Sequence, residues 1–312
     1  MKNKLSSGFW QEKSPMEIAR SHPAVATYKG KLYVFGGGGP NFASLNSVVA
    51  FDPSTNTWAP CSDMPTRRSG TIAAVVGNRI YIIGGGFKHS DGNFRFLNKV
   101  EIYDPETDQW DTGPDMLMPH DYPAGALLGN YIYILGGHHP DSTTSGPKTD
   151  PGFDFCERLD LKQGVWEQIA ALPTPRFALS AITMNNKVLA MGGVAFTPEG
   201  FSNFTVAEAY DPATDTWTEL PEIALPWPAA GHGTCLLVDT PYVFGGYSGE
   251  GIHNRAARYN LKTKTWHTIA PMPNRRAAMG VGVVGNSAYL FGGWADDGRT
   301  PMKEVYEYQS AG

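Results

Sequence analysis

Cysteine is scarce in this 312-residue chain: Cys61, Cys156 and Cys235 are the only three, and no two of them form a Cys-x-x-Cys pair. A small, odd number of cysteines argues against a disulfide framework and against a structural zinc site. The same scarcity fits a reducing compartment. No run approaches the roughly eighteen apolar residues that span a bilayer, and the first residues lack the apolar centre of a signal peptide. We therefore expect a cytoplasmic protein that has no membrane partner.

Positive charge is also in short supply. Lys and Arg number 25 against 30 Asp and Glu, which gives a formal net charge of -5, and no local run of basic residues offsets it. A nucleic-acid backbone is bound by clustered Lys and Arg that neutralise its phosphates. The sequence therefore predicts no nucleic-acid partner.

Glycine, by contrast, is abundant and regularly placed. The chain has 36 glycines and 24 prolines, which indicate many tight turns, and a diglycine ends an apolar run six times at intervals of 48, 52, 56, 53 and 47 residues. The six diglycines are Gly36-Gly37, Gly84-Gly85, Gly136-Gly137, Gly192-Gly193, Gly245-Gly246 and Gly292-Gly293. A repeat of about fifty residues therefore fills the chain.

Each repeat contains two hairpins. The first ends at the diglycine, as in TIAAVVGNRIYIIGG, where Gly-Asn supplies a tight turn. The second has the form VEIYDPETDQW, where Asp-Pro starts the turn and a Trp marks the last strand. Six units of four antiparallel strands predict an all-β, six-bladed β-propeller.

The sixth repeat ends without a Trp, and the missing strand is found at the other terminus. Trp10 precedes Trp58 by 48 residues, the same interval that separates Gly36 from Gly84. We therefore expect residues of about 8–14 to supply the outer strand of blade six and close the ring. The prediction is one propeller domain over residues 1–312.

The combination of diglycine, Tyr-Asp-Pro and spaced Trp resembles the kelch repeat, and the resemblance covers residues 8–309. Three repeats depart from the pattern locally, at residues 159–161, 259–261 and 306–308, where the sequence reads Leu-Asp-Leu, Tyr-Asn-Leu and Tyr-Glu-Tyr. The resemblance implies a stand-alone six-bladed kelch protein. In that family a propeller serves as a recognition module, and an adaptor role here would need a separate partner chain.

Arginine recurs at one position of the repeat, sixteen residues before the diglycine, as Arg20, Arg68, Arg176 and Arg276. Blade five has Ala229 there and blade three has His120, Asp121 and Tyr122 in the same region. Because this position shares a rim with the loops after the diglycines, the four arginines and Tyr122 predict a mouth that binds an anionic small molecule or an acidic peptide or protein. The alternative is that each Arg binds backbone carbonyls of the neighbouring blade.

The loops after the diglycines differ most between blades, which is typical of segments that set specificity on a fixed scaffold. They contribute Phe87, His138, His139, Tyr247 and Trp294, side chains suited to stacking on a ring and bonding its substituents. We predict that these residues contact the ligand. The alternative is that the loop aromatics cap the blade cores.

A catalytic cluster is the second hypothesis for the same rim. His120, Asp121 and His232 are candidate acid and base groups, although neighbours on a strand face opposite sides, so His120 and Asp121 need not meet. Adjacent histidines on a loop lack the spacing of a metal-ligand set, and neither a metal nor a cofactor is predicted.

Three functions follow from these observations. The first is a kelch recognition module for an anionic ligand or acidic peptide. The second, by likeness of layout to the sugar-acid mutarotases, is a small-molecule mutarotase or isomerase acting in the channel. The third is a structural protein with a filled channel. No oligomeric state is predicted.

Overall fold

The computed structural model describes residues 8–142 and 149–310, and its framework is six four-stranded antiparallel sheets. We number strands along the chain and blades from the first diglycine. Blade one comprises β2 (Ala24–Tyr28), β3 (Lys31–Phe35), β4 (Val48–Asp52) and β5 (Thr57–Cys61). Blade two comprises β6 (Ile72–Val76), β7 (Arg79–Ile83), β10 (Val100–Asp104) and β11 (Gln109–Thr112). Blade three comprises β12 (Ala124–Leu128), β13 (Tyr131–Leu135), β14 (Cys156–Asp160) and β15 (Val165–Ile169).

The second half of the ring repeats this order. Blade four comprises β16 (Ser180–Met184), β17 (Lys187–Met191), β20 (Ala207–Asp211) and β21 (Thr216–Glu219). Blade five comprises β22 (Gly233–Leu237), β23 (Thr240–Phe244), β26 (Ala256–Asn260) and β27 (Thr265–Thr268). Blade six comprises β28 (Gly280–Val284), β29 (Ser287–Phe291), β30 (Val305–Gln309) and β1 (Phe9–Lys13).

Short hairpins and turns complete the described chain. Three hairpins follow the diglycines of blades two, four and five: β8 (Gly86–Lys88) with β9 (Phe94–Phe96), β18 (Val194–Thr197) with β19 (Gly200–Asn203), and β24 (Tyr247–Ser248) with β25 (Gly251–Ile252). The helical segments are two 3₁₀ turns, Pro40–Phe42 and Pro221–Ile223. A search of the described residues finds no helix with the length and apolar character to cross a membrane.

The predicted closure of the ring is confirmed. Strand β1 pairs with β30 along its whole length, from Phe9 opposite Gln309 to Lys13 opposite Val305. The prediction of one domain over residues 1–312 also takes in residues 1–7, 143–148 and 311–312, which lie outside the described residues, and that prediction remains open to test.

Tryptophan joins each blade to its neighbour. The indole N–H on the outer strand donates to a backbone carbonyl of the adjacent repeat in all six blades, with N···O distances of 2.8–3.3 Å. The six pairs are Trp10 with Ala270, Trp58 with Ser14, Trp110 with Ser62, Trp166 with Pro114, Trp217 with Ala170, and Trp266 with Ile223. The spaced Trp of the repeat therefore serves as a polar anchor as well as an apolar filler.

The diglycines lie where neighbouring blades come closest. Gly36 has φ +53°, and a Cβ there would lie 2.4 Å from the carbonyl oxygen of Arg68 in the next blade. The N–H of Gly37 donates to that same oxygen at 2.9 Å. A side chain at the first position would therefore displace the neighbouring backbone, which explains the recurrence of glycine.

Inside the diglycines, six residues form a closed ring of backbone hydrogen bonds that we call the inner ring. Each has φ between 51° and 60°, and each N–H donates to the carbonyl oxygen of the preceding member at 2.6–3.2 Å. The members are His22, Gly70, Tyr122, Ala178, Gly231 and Ala278. The inner ring narrows the central channel and separates the cavity on one face from a smaller channel of about 110 Å³ on the other.

Candidate ligand-binding cavity

A cavity of about 690 Å³ opens on the face of the ring where the diglycine loops lie. This volume is in the range of small-molecule sites. Its lining comes from all six blades, because each blade contributes residues from the loop after its diglycine, and blades one to four also contribute the residue before the inner ring. The lining residues include Ser21, His22, Gly38, Phe42, Asp121, Tyr122, His138, Asp150, Phe177, Phe201, Tyr247, Trp294, Asp296 and Asp297.

Two positions of the repeat build the cavity wall. The residue before the inner ring pairs through its backbone with the residue after the diglycine, as Ala277 does with Trp294 and Ala230 with Tyr247. In blade three the N–H of His138 donates to the carbonyl oxygen of Asp121 at 2.8 Å. This pairing places the first residue after the diglycine on the cavity wall in blades one, three, five and six.

Five rings on this wall form a cluster that we call the aromatic cage: His22, Tyr122, His138, Phe177 and Trp294. The His22 ring meets Tyr122 and Trp294 edge to face, with centroids 4.3 and 4.4 Å apart. His138 stacks on Phe177 at 4.0 Å and meets Tyr122 edge to face at 5.2 Å. Burial, reinforced by His138, lowers the pKa of His22 to about 3, so His22 is neutral at physiological pH.

His138 is held by a carboxylate. Its Nδ1 lies 2.5 Å from Oδ2 of Asp150, whose Oδ1 accepts the N–H groups of His139 and Gly152 at 3.1 and 3.0 Å. Burial alone would raise the pKa of Asp150, but the hydrogen bond and charge of His138 and these N–H groups lower it overall. Asp150 is therefore ionised, and Nδ1 of His138 carries the donated proton.

Asp121 has the opposite character. It is 3% exposed, and its Oδ1 has no hydrogen-bond partner among the described residues. Burial, followed by repulsion from Asp150, raises the pKa of Asp121 well above its usual range, which favours the protonated form of the acid. The carboxyl group packs over Gly70 and Gly86, where an added Cβ would lie 2.9 and 3.0 Å from Oδ1.

The charged groups on the cavity wall are acidic. Asp121, Asp150, Asp296 and Asp297 line it, and the described lining contains neither Lys nor Arg. Asp297 accepts bonds from Thr300 and the N–H of Arg299, which lower its pKa to about 2. The predicted positive funnel is thus corrected to a wall of aromatic and acidic side chains.

The four arginines are placed elsewhere. Their exposure is 0–1%, and each guanidinium donates to the carbonyl oxygen of the first glycine of its own blade, sixteen residues later, at 2.7–3.1 Å. The residues are Arg20, Arg68, Arg176 and Arg276. The prediction that they face the mouth is wrong because these bonds hold them beneath the diglycines. The alternative prediction, that each Arg binds backbone carbonyls, describes the contacts of these arginines, although the carbonyls belong to the same blade and not to its neighbour.

Two blades use a different donor for the same carbonyl. In blade three Nδ1 of His120 lies 2.7 Å from the carbonyl oxygen of Gly136, and in blade five the indole of Trp227 donates to Gly245 at 3.1 Å. Nε2 of His120 faces Oε1 of Glu157 at 3.1 Å, with both side chains fully buried. His120 therefore replaces an arginine in the framework.

The predicted catalytic cluster is not assembled. His120 lies in the framework and Asp121 in the cavity, as expected of neighbours that face opposite ways. His232 lines the smaller channel beyond the inner ring, where its Nε2 is 2.8 Å from Oγ of Ser180 and burial lowers its pKa to about 4. The three groups do not share one surface, which corrects the prediction that they act together.

The loop residues divide into two sets. His138, Tyr247 and Trp294 line the cavity together with Tyr122, and their contact with a ligand remains a prediction. Phe87 and His139 are not among the lining residues. The guanidinium of Arg67 lies 5.7 Å from the centroid of the Phe87 ring, and the ring centroids of His139 and Phe153 are 5.8 Å apart.

His22, Asp150 and Phe177 line the cavity but were not predicted from the sequence. The repeat could have indicated two of them, because both lie close to the recurrent arginine. Phe177 follows Arg176 by one position, and His22 follows Arg20 by two. Asp150 lies in the long loop of blade three, after residues 143–148, which are outside the described part of the chain. Over the described residues, no cluster of three or more His, Cys, Asp or Glu has the arrangement of a metal site.

The fold and cavity define a kelch-type six-bladed propeller with a cavity on the face where the diglycine loops lie. Two overlapping segments, residues 6–193 and 153–293, match the family model described as the KLHDC2/KLHL20/DRC7 kelch-repeats domain. The chain belongs to the kelch-repeat family, which confirms the resemblance read from the repeats.

Comparison with known proteins gives relatives at modest identity. Kelch-like protein 25 of Xenopus tropicalis is 29% identical over 225 residues, covering 69% of this chain and 35% of that protein. Human Kelch-like protein 23 is 25% identical over 308 residues, covering 98% and 50%. The chain spans half or less of the length of these relatives. The solved structure of YjhT matches with a TM-score of 0.77 over 94% of this chain and 95% of that one, at 15% identity, which shows a shared fold.

Proposed function

We propose that this chain is a recognition module whose cavity encloses a ring-containing or otherwise apolar group, carried by a small molecule or by a partner protein. The observation that supports this is the cavity of about 690 Å³ with aromatic side chains on its wall. Pockets of this size with a few convergent polar groups are typical ligand sites. The anionic ligand predicted from the arginines is not retained, because those arginines are buried beneath the diglycines.

The rim supports the same proposal. Phe42 and Phe201 line the cavity and are 51% and 63% exposed. Exposed aromatic rings beside a pocket extend the apolar surface available to a ligand that reaches out of it. Kelch propellers bind ligands or proteins, and this rim supplies the surface that such a contact needs.

Gly38→Trp tests the proposal by filling the cavity. Gly38 is the residue after the first diglycine, where blades five and six carry Tyr247 and Trp294, and an added Cβ would first meet the Ser21 hydroxyl at 3.0 Å. Thermal-shift assays would compare small aromatic compounds and peptides on both proteins. A ligand at a hundredfold its Kd adds about 2.7 kcal/mol, and we expect this stabilisation in the wild type and its loss in Gly38→Trp.

Gly249→Tyr is the matched control, because Gly249 is exposed and an added Cβ there meets no atom within 4 Å. It should bind as the wild type does. Equal stabilisation of Gly38→Trp and wild type would place binding outside the cavity and overturn the proposal, as would the absence of any stabilising compound or peptide.

The second candidate is an enzyme that uses the same cavity. The observation that favours it is that a protonated acid, Asp121, and a histidine paired with a carboxylate, His138, both line one pocket. Such a pair supplies an acid and a base for sugar-ring opening and closing. Polarimetry of sugar acids and neutral sugars is the test: catalysis in the wild type that is lost in His138→Gln supports an enzyme, and an unchanged rate of mutarotation with wild type present rejects it.

A further inference from the structure

The floor of the cavity contains a buried carboxyl group, that of Asp121, and one of its two oxygens has no hydrogen-bond partner among the described residues. Oδ1 of Asp121 is fully enclosed and accepts no hydrogen bond from the described residues, although a backbone N–H lies close in Tyr122. A buried acceptor without a donor costs free energy unless something satisfies it. The framework carboxylates of the neighbouring blades are paired, since Glu101 meets Arg68 and Glu208 meets Arg176. Asp121 differs from Glu101 and Glu208 because it lines the cavity.

The described lining of the cavity offers Asp121 neither Lys nor Arg, and the His138 ring is engaged by Asp150. Asp150 is ionised and satisfied by His138 and two N–H groups. His22 is neutral, and burial raises the pKa of both Tyr122 and Tyr247 above the ordinary value, which keeps these phenols protonated. Gly70 and Gly86 of blade two lie against the carboxyl group of Asp121.

The aromatic cage stands beside the same carboxyl group. Tyr122 is its neighbour in sequence, and the backbone of His138 bonds to Asp121. Aromatic faces attract cations within about 6 Å, and they attract them most where water is excluded. A carboxyl group and several rings that converge on one pocket are the groups that recognise an organic cation.

We propose that the cavity floor, formed by Asp121 and the aromatic cage, binds a positively charged ammonium or guanidinium group. This inference rests on the proposed recognition function and names the chemical class of the ligand. The cation donates to the carboxyl group of Asp121, which then becomes a carboxylate, and its methylene or ring carbons lie against Tyr122, Phe177 and Trp294. A small amine and a Lys or Arg side chain of a partner protein share this chemistry.

Three small molecules of similar shape distinguish the effect of ligand charge on affinity from the effect of ligand size: the cation 2-phenylethylamine, the neutral 2-phenylethanol and the anion phenylacetate. Isothermal titration calorimetry on the wild-type protein at pH 7.5 should show the amine binding at least tenfold more tightly than the alcohol, and the acetate most weakly. In Asp121→Asn the amine should lose at least tenfold in affinity, while the alcohol changes by less than threefold.

Asp111→Asn is the matched control. Asp111 is exposed and is not among the residues that line the cavity, so removing this charge should change amine binding by less than threefold. Equal affinity of the wild type for amine and alcohol would overturn the cation site and leave recognition intact. An equal loss of affinity for the amine and the alcohol in Asp121→Asn would also overturn the cation site. If none of the three probes binds the wild type, the recognition proposal is contradicted as well.

Proton release gives an independent readout. Because amine binding requires Asp121 to ionise, affinity for the amine should fall by up to tenfold for each pH unit below the pKa of that acid. The alcohol should show no such dependence. A lysine peptide distinguishes a protein ligand from a small amine, and its acetyllysine counterpart serves as the uncharged reference. Tighter binding of the lysine peptide than of 2-phenylethylamine supports a protein ligand. Tighter binding of 2-phenylethylamine supports a small amine.

Discussion

The indole N–H of Trp10 donates to the carbonyl oxygen of Ala270, 2.9 Å away and 260 residues later in the chain. The same contact joins Trp58 to Ser14, in blade one, at 2.9 Å. Trp10 also packs against Tyr308 and Phe244, with ring centroids 5.0 and 5.7 Å apart. The N-terminal strand is thus bonded into blade six as the other outer strands are bonded into theirs.

Trp10→Ala should therefore destabilise the whole ring. Loss of the hydrogen bond and of the partly buried ring should lower the free energy of unfolding by about 3 kcal/mol, in a single transition. Trp58→Ala is the reference, because its indole makes the equivalent bond within the chain. Urea denaturation of both variants provides the comparison, and a loss below about 1 kcal/mol for Trp10→Ala alone would mean that the closing strand frays independently.

Much of this architecture could be predicted because it repeats. Six diglycines and the interval from Trp10 to Trp58 are enough to number the blades and to find the strand that closes them. The position of Arg276 was harder to predict, because the repeat shows that an arginine recurs without showing where its side chain points. Its guanidinium reaches Gly292 and not the mouth, since the carbonyl oxygens near the diglycine need a buried donor.

The charge of the cavity could not be read from the sequence. Asp121 and Asp150 are separated by 29 positions and belong to no repeated motif. They face one space only because the residue before the inner ring and the long loop of blade three fold toward the same axis. Local patterns specify blades, whereas the loops that connect them set what the cavity binds.

Gly292→Ala separates steric contact from backbone strain. Gly292 has φ +56°, and an added Cβ would lie 2.2 Å from the carbonyl oxygen of Arg20. Gly285 in the same blade has φ +59° with no atom within 4 Å. Alanine at Gly285 should cost about 1 kcal/mol through φ alone, whereas alanine at Gly292 should cost at least about 3 kcal/mol because it also moves the neighbouring backbone. Similar melting temperatures for the two variants would contradict a close approach of blades.

Glu208→Ala tests the buried arginines. Glu208 lies 2.6 Å from Nη1 of Arg176, with the two side chains 4% and 0% exposed. Burial lowers the pKa of Arg176, and Glu208 opposes that effect. Removing one partner of a buried ion pair costs about 3–5 kcal/mol. We expect that loss in chemical denaturation, with ligand affinity unchanged.

Glu219→Ala is the control for this change. Glu219 lies opposite Glu208 in the register of β20 and β21, but it is exposed. Its removal should change stability by less than about 0.5 kcal/mol. If Glu208→Ala changed stability as little as Glu219→Ala, the ion pair would contribute little to stability. The buried arginines would then be held by their bonds to backbone carbonyls alone.

Asp121→Asn should change the pH dependence of stability in a defined direction. Burial and Asp150 raise the pKa of Asp121 in the folded protein. Between the ordinary Asp pKa of about 4 and this raised value, the unfolded chain loses its proton while the folded protein keeps it, so the wild type becomes less stable as pH rises. Asn cannot ionise, so the stability of the variant does not fall in this way as pH rises.

We expect the wild type and Asp121→Asn to have the same free energy of unfolding at pH 3.5. At pH 7 the variant should be the more stable, by about 1.4 kcal/mol for each pH unit that separates the folded and unfolded pKa values. Urea denaturation across that pH range provides the measurement. A wild type more stable than the variant at pH 7 would show that Asp121 is ionised and satisfied in the folded protein, contrary to its placement against Gly70 and Gly86.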